Sequence, residues 1–263
     1  LGNDFIIIDR RKDKIDLSKQ QIINIADRKK GPGCDQIIII DKDKEKKTNA
    51  KITFYNSDGG ETGACGNGSR CISYFLMNEK KLNKSKINTE SGILKAKLTG
   101  KTEVSVDMGI PNFDWQKIPL VKKMNHANVK IKTKHFGILS GYTLSVGNPH
   151  IIFFKDITFE LLKKIGPQIE HHEFFPERCN VTFADVINKK NIAVKVWERG
   201  AGLTLACGTA ACATAVAASK LGLTGKKVNI HFKNGTLHIE WARDKHIIMT
   251  GSVSNIKNIS LKI

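Results

Sequence analysis

Two cysteines stand out by what surrounds them. Ala64-Cys65-Gly66-Asn67-Gly68-Ser69-Arg70-Cys71 is echoed by Ala206-Cys207-Gly208-Thr209-Ala210-Ala211-Cys212-Ala213, and in each copy the Cys-Gly pair runs straight into a segment with helical character. A thiol at the mouth of a helix meets unpaired N–H groups and the positive end of the helix dipole. Both favour the thiolate and lower its pKa from the ordinary value of about 8.5. Such a thiol works near neutral pH as a general base, and its protonated form as a general acid. Two of them acting on opposite faces of one carbon would invert a stereocentre. One thiolate removes the proton, and the other thiol delivers one from the far side. The two helix N-termini would meanwhile welcome a substrate carboxylate and the charge that moves onto it in the carbanion or enediolate.

Other uses of thiols stand beside this one. Zinc sites commonly pair ligands two to four residues apart, whereas Cys65/Cys71 and Cys207/Cys212 are six and five apart. A redox disulfide would need Cys65 and Cys207 to approach, and no Cys-x-x-Cys is present. Burial as small apolar residues suits Cys71, Cys179 and Cys212. It suits Cys65 and Cys207 poorly, because each lies between a Gly-rich turn and a helix start.

The elements that must carry these residues occur twice. Gly2-Asn3 and Ile6-Ile7 match Gly147-Asn148 and Ile151-Ile152 at an offset of 145, and Cys34-Asp35 matches Cys179-Asn180 at the same offset. After a three-residue slip, Tyr55-Asn56 falls on Trp197-Glu198, and nine residues separate Asn56 from Cys65 and Glu198 from Cys207. Ordered matches of this kind mark a duplicated unit, and a repeat this long gives two lobes rather than a solenoid. Gly147-Asn148 follows an apparent strand, Gly141–Val146, so the duplication leads us to expect a further strand ahead of Gly2-Asn3.

Taken in order, the first half reads as a strand to Asp9, a helix over 19–30 stopped by Gly31-Pro32-Gly33, and a buried strand at Ile37–Ile40. A strand follows at Lys51–Asn56, then the turn Asn56-Ser57-Asp58-Gly59-Gly60, a helix over about 67–81, and strands near 93–99 and 102–108. The second half has a connection and a strand over 112–135, then strands over 136–146 and Ile151–Phe154. A helix at 158–165 ends at Gly166-Pro167, and strands cover Asn180–Val186 and Ile192–Trp197. A helix over 209–221 is apolar nearly all round and therefore buried, and strands alternate from 227 to 262. The expectation is an α+β protein of two pseudo-symmetric lobes, each a curved, mostly antiparallel sheet around a central helix. Residues 1–112 form the first lobe and 113–250 the second, with the tail 251–263 returning to the first.

Composition narrows the class. The 263 residues are 40% hydrophobic and 26% charged, ordinary for a soluble domain. No apolar run approaches the roughly 20 residues that cross a bilayer, and no signal segment is visible, so no membrane is expected. The cysteines lie outside any disulfide-scaffold pattern and point to a reducing cytoplasm. The 43 Lys and Arg against 25 Asp and Glu give a net charge of +18. The lysines are scattered through loops and exposed strand positions without interleaved aromatics, and no nucleic-acid motif accompanies them. We expect no nucleic-acid partner.

The motifs together resemble the diaminopimelate epimerase family, cofactor-independent isomerases of lysine and peptidoglycan-precursor synthesis. They are Leu1-Gly2-Asn3-Asp4-Phe5, Gly33-Cys34-Asp35-Gln36, Tyr55-Asn56-Ser57-Asp58-Gly59, the first Cys-Gly segment, Gly147-Asn148-Pro149-His150, Phe175-Pro176-Glu177-Arg178-Cys179-Asn180, Glu198-Arg199-Gly200-Ala201-Gly202 and Ala206-Cys207-Gly208-Thr209. They run in family order over nearly the whole chain. The resemblance implies that Cys65 and Cys207 are the proton-transfer thiols, with His150 and Glu198 tuning their pKa values. It implies that Gly66, Asn67, Gly208 and Thr209 offer backbone N–H groups to the reacting carboxylate. Asn3, Gln36, Asn56, Asn148, Asn180, Glu198 and Arg199 would hold the remaining amino and carboxylate groups, Arg199 being suited to a bidentate contact. It further implies a homodimer with a small-molecule substrate and no pyridoxal phosphate, nucleotide or metal. Two positions depart from the family pattern. Leu203 stands where the family usually has Glu, and Lys257 where it often has an aromatic near the dimer contact. A proline or hydroxyproline racemase shares the two-thiol architecture, and a basic binding protein on the same fold is the reading from outside catalysis.

Overall fold

The structure is a computed structural model. It describes residues 2–13, 15–63, 65–254 and 256–260. Leu1 and Ala64 of the motifs above, and residues 255 and 261–263 of the tail, lie outside them. The chain divides into two compact units: Asn3–Asp107 with the chain from Thr250 onward, and Met108–Met249 with Gly2.

The first unit contains β1 (Phe5–Asp9), α1 (Lys19–Ala26), β2 (Gln36–Asp41), β3 (Ala50–Asn56), β4 (Glu61–Thr62), α2 (Gly66–Lys80), β5 (Lys84–Thr89), β6 (Gly92–Gly100) and β7 (Glu103–Asp107). Its sheet order is β1-β2-β3-β5-β6-β7, with β4 hooked onto β3. The pairs β1/β2 and β3/β5 are parallel and the others antiparallel. The four isoleucines of β2 are all buried because both faces of the strand are covered. Ile37 and Ile39 meet Ile22, Ile25 and Ala26 of α1, while Ile38 and Ile40 meet Ile72 and Leu76 of α2. A continuous apolar run is the sequence signature of such a strand.

The second unit contains β8 (Val129–Thr133), β9 (Gly137–Ser145), β10 (Pro149–Phe153), α3 (Phe159–Glu170), β11 (Asn180–Asn188), β12 (Asn191–Glu198), β13 (Gly202–Thr204), α4 (Gly208–Lys220), β14 (Lys227–Phe232), β15 (Gly235–Trp241) and β16 (Ile247–Ser252), the last running into the first unit at Thr250. From β10 onward the order is β10-β11-β12-β14-β15-β16, with β13 hooked onto β12. Here β10/β11 and β12/β14 are the parallel pairs. Each unit therefore repeats one plan, in which a helix bridges the first parallel pair and a second helix follows the hooked strand. Strands β9 and β8 extend the second sheet beyond β10. Every residue of α4 from Gly208 to Ala218 is buried, and its alanines let β9, β10, β11, β14 and β15 pack closely on it.

Several boundaries differ from the sequence reading. Helix α1 stops at Ala26 rather than 30, because Asp27 Oδ1 accepts the N–H groups of Lys29 at 2.7 Å and Lys30 at 3.1 Å and turns the chain. Helix α3 runs through Gly166-Pro167 to Glu170. Its apolar face, Leu162, Ile165 and Ile169, is wholly buried in the second unit's core, and that packing outweighs the local cost of a proline. Strand β5 was hidden among lysines: Ser85, Ile87 and Thr89 point inward and Lys84 and Lys86 outward. At the other end, the expected strands to 262 are not present among the described residues beyond Ser252, the last residue of β16.

Candidate functional site

Cys65 and Cys207 are the N-caps of α2 and α4, with nearly the same backbone: φ −135° and ψ 105° at Cys65, φ −134° and ψ 116° at Cys207. An extended N-cap leaves the first amides of the helix open to the side chain and to any ligand in front of it. All six cysteines are thiols.

In the first unit Cys65 Sγ accepts the N–H of Gly68 at 3.2 Å, a bond that favours the charged form of sulfur. Gly68 has no room for a side chain, since a Cβ there would lie 2.9 Å from the Phe54 ring and 3.2 Å from Cys65 Sγ. Asn67 is buried, and its Nδ2 donates to Asn3 Oδ1 at 2.6 Å. Asn3 Nδ2 in turn donates to Asp35 Oδ2 at 3.1 Å. Asp35 is anchored by Arg28, which also grips Asp4 with two bonds of 2.8 and 2.9 Å. Among the described residues Asn67 Oδ1 has no partner, so a buried acceptor remains open beside the helix mouth. Gln36 and Asn56 form a separate pair, with Gln36 Nε2 donating to Asn56 Oδ1 at 2.9 Å across β2 and β3.

In the second unit a chain of contacts leads away from Cys207. Thr209 Oγ1 lies 3.4 Å from Cys207 Sγ, Asn148 Nδ2 donates to Thr209 Oγ1 at 3.4 Å, and His150 Nε2 donates to Asn148 Oδ1 at 2.9 Å. His150 is completely buried, and its pKa falls to about 3, chiefly from burial and then from the nearby Arg199 charge. It is a neutral imidazole with the proton on Nε2, as the Asn148 carbonyl requires. Asn180 is committed at both ends of its amide, donating to the Pro149 carbonyl and accepting the Arg199 N–H, each at 3.0 Å. The exposed Arg199 also donates to the Glu177 carbonyl at 3.1 Å.

The expectation of a lowered thiol pKa does not hold for Cys207. Burial drives its pKa well above the ordinary thiol value, and the Glu198 carboxylate, which accepts its S–H, raises it further. The Thr209 hydroxyl and the Ala210 amide pull the other way, but α4 has no side-chain capping bond. Desolvation outweighs the helix terminus. Cys34, Cys71 and Cys179 are likewise pushed up by burial, Cys34 to about 11.

The structure thus gathers Asn3, Cys65, Gly66 and Asn67 at one helix mouth, and Asn148, His150, Glu198, Cys207, Gly208 and Thr209 at the other. Asn180 and Arg199 join the second group through the turn after β12. Gln36 and Asn56 sit at paired strand ends. Leu203, where the resemblance leads us to expect Glu, packs beside Trp197 on the core of the second unit. Sequence reasoning missed Asp35 as the anchor of Asn3, although its position matches Asn180 in the duplication. Among the described residues no cluster of three or more His, Cys, Asp or Glu is placed to hold a metal ion, and no helix is long and apolar enough to cross a membrane.

A family model for diaminopimelate epimerase matches residues 1–113 and 142–256. The diaminopimelate epimerase of Pelagibacter ubique is 51% identical over 270 residues, spanning 100% of this chain and 96% of that protein. That of Caulobacter vibrioides is 43% identical over 265 residues, 97% of this chain and 92% of that one. Among solved structures, a hydroxyproline epimerase from Agrobacterium vitis aligns with a TM-score of 0.64 at 13% identity, covering 89% of this chain and 77% of the other. A predicted epimerase from Pseudomonas aeruginosa aligns at 0.66 and 13% identity, over 95% and 90%. At that identity the likeness is one of fold.

Proposed function

The chain belongs to the diaminopimelate epimerase family, and on that premise we propose that it interconverts LL- and meso-diaminopimelate by two-thiol proton transfer at the α-carbon. The observation that carries the reading is the pair of cysteine N-caps with matching backbone, one in each copy of the duplicated plan.

The two thiols differ in a way that suits opposite roles. Cys207, kept protonated by burial and by Glu198, is the acid at rest. Cys65, with the Gly68 N–H directed at its sulfur, is the base. Cys65 thiolate takes the α-proton and becomes a thiol, and Cys207 gives its proton to the opposite face and becomes a thiolate. In the reverse direction the roles exchange, and the Glu198 carboxylate beside Cys207 makes that thiolate the stronger base. The carboxylate at the reacting centre takes the first amides of α2 and α4, at Gly66-Asn67 and Gly208-Thr209, where developing charge is stabilised. His150, neutral and bonded to Asn148, fixes the Asn148–Thr209 contact that reaches Cys207. The open Oδ1 of Asn67, with Asn3 beside it, accepts from the ammonium group. Arg199, Gln36 and Asn56 take the distal amino-acid head group that a proline substrate lacks. The reaction needs no cofactor. The reading includes a homodimer working in the reducing cytoplasm, as the family resemblance implies.

The test is substrate choice by the purified protein, followed by chiral chromatography. Conversion of LL-diaminopimelate to the meso form, with no inversion of L-proline or trans-4-hydroxy-L-proline, is the expected result. Inversion of proline without turnover of diaminopimelate would replace this reading with the racemase one.

A further inference from the structure

The turn that carries Glu198 and Arg199 is held by a carboxylate to which the reaction assigns no part. Glu170 is the last residue of α3 and is only 3% exposed. Its Oε2 accepts the indole N–H of Trp197 at 2.7 Å, and its Oε1 accepts the backbone N–H of Gly200 at 2.9 Å. The adjacent N–H, that of Arg199, is taken by Asn180 Oδ1 at 3.0 Å. Two successive backbone amides are thus pinned, one from α3 and one from β11, just past Glu198. Hydrogen bonds to a carboxylate are about twice as strong as those between neutral groups.

Packing alone does not ask for a carboxylate at this place. The last turn of α1, the counterpart of α3 in the duplicated plan, ends in the buried apolar pair Ile25 and Ala26. Helix α3 is also shaped for the tryptophan end of the bridge. Gly166 sits one turn before Glu170, and a Cβ there would lie 2.7 Å from the Trp197 ring.

We propose that Glu170 is a positioning residue for the epimerisation. It fixes the Glu198–Gly202 turn so that the Glu198 carboxylate stays against the Cys207 thiol and Arg199 presents its guanidinium to the substrate. The kinetic half of this inference rests on the two-thiol reading above; the structural half does not.

The test is Glu170→Gln, which keeps the shape but puts an NH2 group against one of two N–H donors. Backbone hydrogen exchange over residues 199–201 should speed up by about tenfold or more while α4 is unchanged, as expected when a buried amide loses its acceptor. On LL-diaminopimelate, kcat should fall by about tenfold and KM rise severalfold. A role confined to stability would lower the active fraction and leave KM alone. Adding Trp197→Phe removes the competing indole donor, so the amide oxygen can again take the Gly200 N–H. That double variant should recover part of the lost kcat and slow the exchange again. Unchanged exchange at Gly200 in E170Q overturns the inference, as does a loss of kcat at wild-type KM with no recovery in the double variant. A wild-type protein inactive on diaminopimelate would sink the two-thiol reading separately, and the exchange measurement would still decide whether Glu170 holds the turn.

Discussion

His150 and the buried thiols have their ordinary titrations displaced in opposite directions, and the two displacements bracket the pH range in which the fold is stable. His150 falls to about 3 in the folded protein because burial excludes its charged form. The unfolded side chain titrates near about 6.5. Between those values the unfolded state binds the extra proton, so stability is present above about 6.5 and is lost as pH falls, by up to about 1.4 kcal/mol per pH unit. His126 and His172, also lowered by burial, act in the same direction. Cys34, Cys179 and Cys207 are raised. Their contribution is complete below the unfolded thiol value of about 8.5 and declines as pH rises through the folded values. Urea midpoints measured from pH 5 to pH 10 should therefore show a plateau between about 6.5 and 8.5 with a decline on each side. A midpoint still rising at pH 10 would contradict the burial of these thiols. None of this was legible in the sequence. The pattern places Cys207 at a helix mouth and so suggests a lowered pKa, but the pattern does not say how deeply the alanine-rich α4 would bury its own cap.

Helix α3 and its neighbours show what local rules leave out. Gly-Pro reads as a stop, yet α3 continues past Gly166-Pro167 because Leu162, Ile165 and Ile169 are held in the core and because Gly166 admits the Trp197 ring. Gly166→Ala is the check at this scale. In an exposed helix the change would stabilise by about 1 kcal/mol. Here the added Cβ meets Trp197 Cγ and Cδ2 at 2.7 Å, and overpacking of that kind costs about 1–3 kcal/mol. We expect a net loss of stability together with a shift in tryptophan emission, and a gain in stability would show that α3 and β12 are not packed as described. The helices that carry the cysteines were legible almost to the residue, because Gly-rich turns, a Cys-Gly start and a long helical run coincide there. Strand β5 was not, because five of its six residues are polar or charged on a half-exposed strand and imitate a loop.

At the scale of the molecule, the duplication visible in the sequence is also a duplication of topology. The same parallel pairs, the same hooked strand and the same two helices occur in each unit. Backbone details repeat with it: Gly2 and Gly147 have φ of 97° and 94°, and Gly33 and Arg178 have φ of 75° and 60°. The left-handed conformation kept at Arg178, where no glycine remains, indicates that the turn before Cys179 is held by the fold and not by residue choice. Spaced motifs were enough to reveal the two cysteine caps. They could not reveal that the two caps differ, Cys65 receiving the Gly68 amide while Cys207 is buried against Glu198. That difference is the centre of the proposed mechanism, in which Cys65 is the resting base and Cys207 the resting acid. The most direct test is incubation of wild type, Cys65→Ser and Cys207→Ser with LL-diaminopimelate in D2O, following deuterium at the α-carbon and formation of the meso isomer. Wild type should place deuterium in the meso product, and each serine variant should lose inversion by about 10²–10⁴-fold, the usual worth of one general acid or base. Inversion at the wild-type rate in either variant would contradict the two-thiol mechanism.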